Sequence, residues 1–181
     1  PAPAPSADAG NAAAAPAAAA DTRQADAKFT DLSKRWLDGM LALSPVSATQ
    51  IGDHRFDAEV DDMSAEGRAK SLDFSKKMLA ELEAMDLKAL SRENQVDASV
   101  LRNQLRYDIW TSEQLQSWAW DPQGYNATAG GALYTLVARD FAPWPERLKN
   151  ATARMEKIPA IFAAARENLD PARVPLIHAQ T

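Results

Sequence analysis

The sequence predicts an all-α protein: long antiparallel helices in an irregular bundle, preceded by a disordered Ala/Pro-rich tail. Three observations carry this expectation. Apolar residues recur at steps of three and four in successive runs from Phe29 onward. Helix-starting residues, among them Ser64, Ser91 and Pro145, stand at the heads of those runs, with proline or glycine between them. The first 28 residues hold fourteen alanines and four prolines, with no large apolar side chain before Phe29, so they have nothing to bury.

The chain of 181 residues fits one domain, expected over 29–181 behind a tether at 1–28. A net charge of −5 disfavours a nucleic-acid partner, which calls for a basic stripe. There is no cysteine, so no disulfide, and no apolar run of eighteen residues to span a membrane. The chain begins at Pro1. An Ala/Pro tether of this kind follows a cleaved signal or a lipid-anchored cysteine in exported bacterial proteins. The expectation is an exported chain, periplasmic or a cell-envelope lipoprotein, touching the membrane only through an N-terminal lipid anchor.

In order along the chain, Phe29, Leu32, Trp36, Met40 and Leu43 form one helical stripe, with the helical period starting near Asp26. Pro45 ends it, because the residue before a proline is pushed out of the helical region. Ser47 then caps a short turn through Ile51, and Gly52 suits a left-handed exit. Ser64 opens a helix running to about Asp86, and Ser91 opens another whose buried line is Ala98, Leu101, Leu105, Ile109 and Ser112. That second helix reaches at least Leu115, about 25 residues or ~37 Å. Trp120–Asn126 reads as a loop, with Pro122 and Gly124 as the turn. Gly130-Gly131 lacks the lysine and hydroxyl of a phosphate loop and suits a close backbone approach. Pro145 starts a helix with Leu148, Ala151, Met155 and Ile158 along one face, which Pro159 should kink or restart. The chain stops at Thr181 within what reads as a further helix, which suggests truncation.

Asp53-His54-Arg55-Phe56-Asp57 is the stretch shaped by more than helix packing. It reads either as a substrate-facing polar loop or as a structural network in which Arg55 pairs with a carboxylate and Phe56 anchors the loop. A metal at His54 is disfavoured, because His178 is the only other histidine and no second ligand stands at helical spacing. Trp110, Trp118, Trp120 and Trp144 suit gaps between helices better than a stacking platform.

Several of these segments resemble one family. Ser44-Pro45-Val46-Ser47-Ala48-Thr49, Gly52-Asp53-His54-Arg55-Phe56-Asp57, Ala138-Arg139-Asp140, Arg154-Met155-Glu156-Lys157-Ile158-Pro159 and Ala165-Arg166-Glu167-Asn168-Leu169, in this order, resemble the N-terminal part of the bacterial domain of unknown function 885. The resemblance implies an exported, mostly helical protein of several hundred residues that looks like a zinc metallopeptidase. Its metal motif, a His-Glu-x-x-Pro-Gly-His run, would lie beyond Thr181, since no such run occurs here. It implies no catalytic or metal-binding residue and no cofactor in this chain, with zinc in the C-terminal part.

Two functional readings follow. In the first, the chain is a helical scaffold and cleft wall whose partners are the C-terminal half of the same protein and a peptide substrate. His54, Arg55, Asp57 and Arg139 are then its cleft-facing residues. Arg139 is read as gripping a peptide carboxylate in bidentate fashion or forming a buried ion pair. In the second, the chain is a non-catalytic envelope module holding peptide or glycan around Trp118 and Trp120.

Overall fold

A computed structural model describes residues 14–180 of the protein. Among them are seven α-helices and no strand: α1 Ala14–Leu43, α2 Pro45–Ile51, α3 Ala65–Glu83, α4 Arg92–Trp110, α5 Pro122–Val137, α6 Trp144–Asn168 and α7 Leu176–Ala179. The all-α expectation holds. Residues 1–13 of the expected tail lie outside the described residues.

α1 starts earlier than its apolar stripe, at Ala14 rather than near Asp26. Alanine is the best helix former, which suits a helix already present at Ala14, the first described residue. α2 opens directly at Pro45, so the expected cap at Ser47 is a helical interior position instead. Its N-terminus is capped from outside: the Val46 N–H donates to Asp61 Oδ1 at 3.0 Å. Gly52 closes α2 at φ 95°, the left-handed exit the sequence called for. Ser64 and Ser91 cap α3 and α4 as expected, each accepting from the N–H three residues on.

α3 and α4 pack antiparallel. Lys76 pairs with Glu113 and Glu83 with Arg106, so seven residues forward on one strand of contacts is seven back on the other. Their inner faces meet α1 in a core of Phe29 and Leu32, Met78 and Leu82, and Ala98, Leu101 and Leu105. A second core joins Tyr125 and Ala129 of α5 to Ile161 and Ala165 of α6. α2 packs against both α1 and α5. Gly131 serves there as the close approach, for an added Cβ would meet Val46 Cγ1 at 3.4 Å, whereas Gly130 faces open space.

α4 does reach Leu115, but its last five residues widen into a π-turn, Thr111–Leu115, closed by Gln116 N–H on the Thr111 carbonyl at 2.8 Å. Gln116 takes φ 52°, a left-handed conformation uncommon for a non-glycine residue. Two indoles hold the turn: Trp118 Nε1 donates to the Ser112 carbonyl at 3.2 Å, and Trp120 Nε1 to the Leu115 carbonyl at 2.9 Å.

Three expectations around α5 and α6 change. Trp120–Asn126 is not a loop, because Asp121 accepts from the Gln123 N–H and Pro122 is the first residue of α5. α6 runs unbroken through Pro159, whose missing N–H would have faced the Met155 carbonyl, and Met155 lies on the exposed flank. The buried line of α6 is Arg147, Ala151, Arg154 and Ile161, while Leu148 and Met155, expected inside, are exposed. Trp110 and Trp144 are likewise half out in solvent rather than packed between helices.

Candidate functional site

The polar residues around α2 form a knot centred on Arg154, whose side chain is 0% exposed. Its Nε donates to the Glu59 carbonyl at 2.8 Å and its Nη1 to the Ala132 carbonyl at 2.8 Å. Nη2 donates to Thr49 Oγ1 at 2.7 Å and to the Pro45 carbonyl at 3.1 Å. One guanidinium thus ties α6 to α5, α2 and the segment after it. Desolvation lowers its pKa, opposed first by the charge of Asp57 and then of Asp61.

Asp57, 4% exposed, completes the knot. The Thr49 hydroxyl has one proton, and Asp57 Oδ1 at 2.7 Å is a nearer acceptor than the Pro45 carbonyl at 3.2 Å. Asp57 Oδ2 lies 3.0 Å from His54 Nδ1, and the His54 ring stacks on Phe141 at 3.7 Å and 10°. Arg55 turns outward instead, onto Asp53 and Asp38. The Arg55 guanidinium and N–H hold the Asp53 carboxyl below its usual range. Arg139 is exposed and donates through Nη1 to the Gln50 carbonyl at 2.7 Å, near the C-terminus of α2. The structure therefore joins His54 to Asp57 directly and sets Arg55 and Arg139 apart from them. Arg139 uses its guanidinium on a main-chain carbonyl rather than in a buried ion pair.

A second buried arginine closes the turn between α5 and α6. Arg147 donates to the carbonyls of Leu136, Val137, Arg139 and Ala142, and to Asp140. Carbonyls left over at the end of α5 find their partner in this side chain.

On another side of the bundle lies a groove of about 680 Å³. Trp36, Met40 and Leu43 of α1 form one wall, and Leu72, Phe74 and Ser75 of α3 another. Gln104, Tyr107, Asp108 and Thr111 line it from α4 and its π-turn, together with Asp61, Arg68 and Trp118. Burial raises the carboxyls of both Asp61 and Asp108 above the usual aspartate range. Asp61 accepts from the Val46 N–H and Asp108 from Gln104 Nε2 at 2.8 Å. Arg68 lies over the Trp118 ring at 4.2 Å. None of His54, Arg55, Asp57 or Arg139 lines this groove.

Residues 45–180 match the family described as bacterial protein of unknown function (DUF885). The chain belongs to the DUF885 family. A solved structure from Shewanella oneidensis, described as a putative lipoprotein of unknown function, is 36% identical with a TM-score of 0.77. The match covers 84% of this chain and 27% of that one, so this DUF885 chain spans about a quarter of that relative's length. No curated protein matches it.

The zinc implied by the resemblance can be set against the donors present. Among the described residues no three His, Cys, Asp or Glu side chains come together to hold a metal ion. His54 meets Asp57, and His178 meets Asp121 at 3.3 Å. This donor set does not fit zinc.

Sequence reading missed Arg154, Arg147 and Asp108. A signal for the arginines was present: Arg147, Ala151, Arg154, Ile158, Ile161 and Ala165 step by four and three along one helix face. Two cations inside a core stripe mark buried polar anchors. Asp108, between Leu105 and Ile109, had the weaker signal of a carboxylate bordering a buried line.

Proposed function

We propose that this DUF885 chain is a helical wall of a larger, peptidase-type protein of the cell envelope. Further residues of the same protein cover its exposed apolar stripes and carry the zinc chemistry. The groove is part of the peptide cleft they complete together.

The observation that carries this reading is the two-faced character of α4. Ala98, Leu101 and Leu105 are buried, while Val96, Val100, Tyr107 and Trp110 are exposed, Val100 to 64% and Tyr107 to 54%. At about 100° per residue the two sets lie on opposite sides of the helix. A helix apolar on both faces is suited to burial on both. α6 carries a second stripe, Trp144, Leu148, Met155 and Phe162, within about 40° of arc by the same spacing. The relative of which this chain spans 27% has ample further length to cover both.

Tyr107 belongs to both the α4 stripe and the groove, so whatever covers the stripe would border the groove. The relative's description as a lipoprotein supports an exported, envelope-attached protein. No helix among the described residues is long and apolar enough to cross a membrane, and an N-terminal lipid anchor is the attachment proposed. The competing sugar- or peptide-stacking module is less well supported. Trp118 carries Arg68 on its ring, and the indole N–H groups of Trp118 and Trp120 are both bonded to the π-turn.

Thermal unfolding of two proteins tests the reading. Val100→Lys in the full-length DUF885 protein should lower Tm by several degrees, roughly the effect of 1–3 kcal/mol in a domain of this size. In the 181-residue chain, where Val100 already faces solvent, the same change should leave Tm nearly unmoved. No shift in the full-length protein would contradict the reading.

A further inference from the structure

The groove between α1, α3 and α4 holds a charge imbalance that its own residues leave standing. Asp61, Asp62 and Asp108 line it against a single arginine, Arg68. Asp62 is engaged at the start of α3, accepting from the Ser64 N–H at 3.0 Å. Arg68 is engaged too, its guanidinium lying on Trp118 while Nη1 donates to the Met63 carbonyl at 3.1 Å. Asp61 and Asp108 each accept one hydrogen bond, from Val46 N–H and Gln104 Nε2; among the described residues no lysine or arginine forms an ion pair with either, and only Asp61 feels a nearby cation, Arg154.

Taking a carboxylate partly out of water without a cation is unfavourable, as at Asp108; burial raises both carboxyls, and at Asp61 the Arg154 charge only partly offsets it. The walls around them suit a cation as well, since aromatic faces attract positive charge and Trp36, Phe74 and Tyr107 all contribute surface. A volume of about 680 Å³ is in the range of pockets that enclose a small ligand.

We propose that this groove receives the cationic group of a peptide whose neighbouring side chains are apolar. The ammonium or guanidinium lies against Asp108 and Asp61, and the apolar side chains lie against Trp36, Leu72 and Phe74. The inference rests on the cleft reading above and names the ligand class it would take.

Titration calorimetry of the protein at about pH 7, where free aspartate is ionised, tests it with defined peptides. The probes are acetyl-Phe-Lys-Leu-amide, its neutral counterpart acetyl-Phe-Gln-Leu-amide, and Phe-Gln-Leu-amide with a free amino terminus. The lysine peptide should bind at least ~10-fold more tightly than the neutral one, as expected for hydrogen bonds to a charged group. The free-terminus peptide supports the inference in either case: matching the lysine peptide it assigns the groove to a chain terminus, and matching the neutral one it assigns it to a side chain.

Asp108→Asn keeps the size of the side chain and should shrink the lysine preference to within ~3-fold while circular dichroism is unchanged. Asp61→Asn should act in the same direction and guards against a folding defect in the first variant. Equal affinity for the lysine and glutamine peptides, or no binding of any of the three, overturns the proposal. Because cleavage is not read, the two ideas fail separately. A protein that binds the lysine peptide and hydrolyses nothing loses the peptidase reading alone, and one that cleaves peptides without favouring cations loses this inference alone.

Discussion

Arg154 and Asp57 are linked through a third side chain: the Thr49 hydroxyl accepts from Arg154 Nη2 at 2.7 Å and donates to Asp57 Oδ1 at 2.7 Å. The fold therefore buries a cation and its counter-charge with one hydroxyl between them. Removing Arg154 takes the nearby cation from buried Asp57 and the side-chain donor from the carbonyls of Ala132 and Glu59. Arg154→Met should cost about 3–5 kcal/mol in urea unfolding. Arg154→Lys should recover little, since one ammonium cannot reach acceptors on three segments at once.

Thr49 offers a finer test of the same link. Thr49→Val keeps the shape and deletes the hydroxyl, so both Arg154 and Asp57 lose a partner in a buried site. Equilibrium unfolding should show a loss of about 1–3 kcal/mol. Thr49→Ser retains the hydroxyl and should cost less, about 1 kcal/mol for the missing methyl.

Asp108 predicts a pH dependence with a definite sign. Its carboxyl is raised above the ordinary 3.8 by burial. The folded state then binds the proton more tightly than the unfolded state does. The wild-type protein thus has its full stability from this group below 3.8 and loses it as pH rises through the folded value. Asp108→Asn does not titrate. Compared with wild type, the variant should be more stable at about pH 7 than at ~pH 3, a difference measurable by chemical unfolding at the two values.

Gly67 marks a contact that tolerates no side chain. A Cβ there would overlap the Asp62 carbonyl oxygen, which is backbone and cannot swing aside. Gly67→Ala gains helix propensity yet should destabilise the protein by about 1–3 kcal/mol, because the turn into α3 must shift. Thermal unfolding measures the balance, and a stabilised variant would mean that this turn is looser than described.

Much of the fold was legible because it rests on local rules. Ser64, Ser91 and Gly52 sit where capping physics places them, and the Ala98–Leu101–Leu105 line is buried as its spacing demands. The misplacements share a cause. Local pattern points to Ser47 as the cap of α2, whereas the acceptor comes from Asp61, fifteen residues on from Val46. Leu148 and Met155 read as inside because they are apolar, yet the fold buries Arg147 and Arg154 there and points the apolar pair outward. Arginine takes the core when carbonyls from several segments converge on it, a long-range condition that no window of sequence contains. The groove was illegible for the same reason, being assembled from α1, α3, α4 and the segment before α3.

On the proposed reading, the outer face of α4 is buried in the full-length DUF885 protein. This chain has no cysteine, so a single one introduced as Val100→Cys reports on that face. Thiol labelling, read by mass spectrometry on the peptide that carries it, should be fast in the 181-residue chain and slowed at least ~10-fold in the full-length protein, since a thiol must be accessible to react. Equal labelling rates in the two proteins would contradict the account.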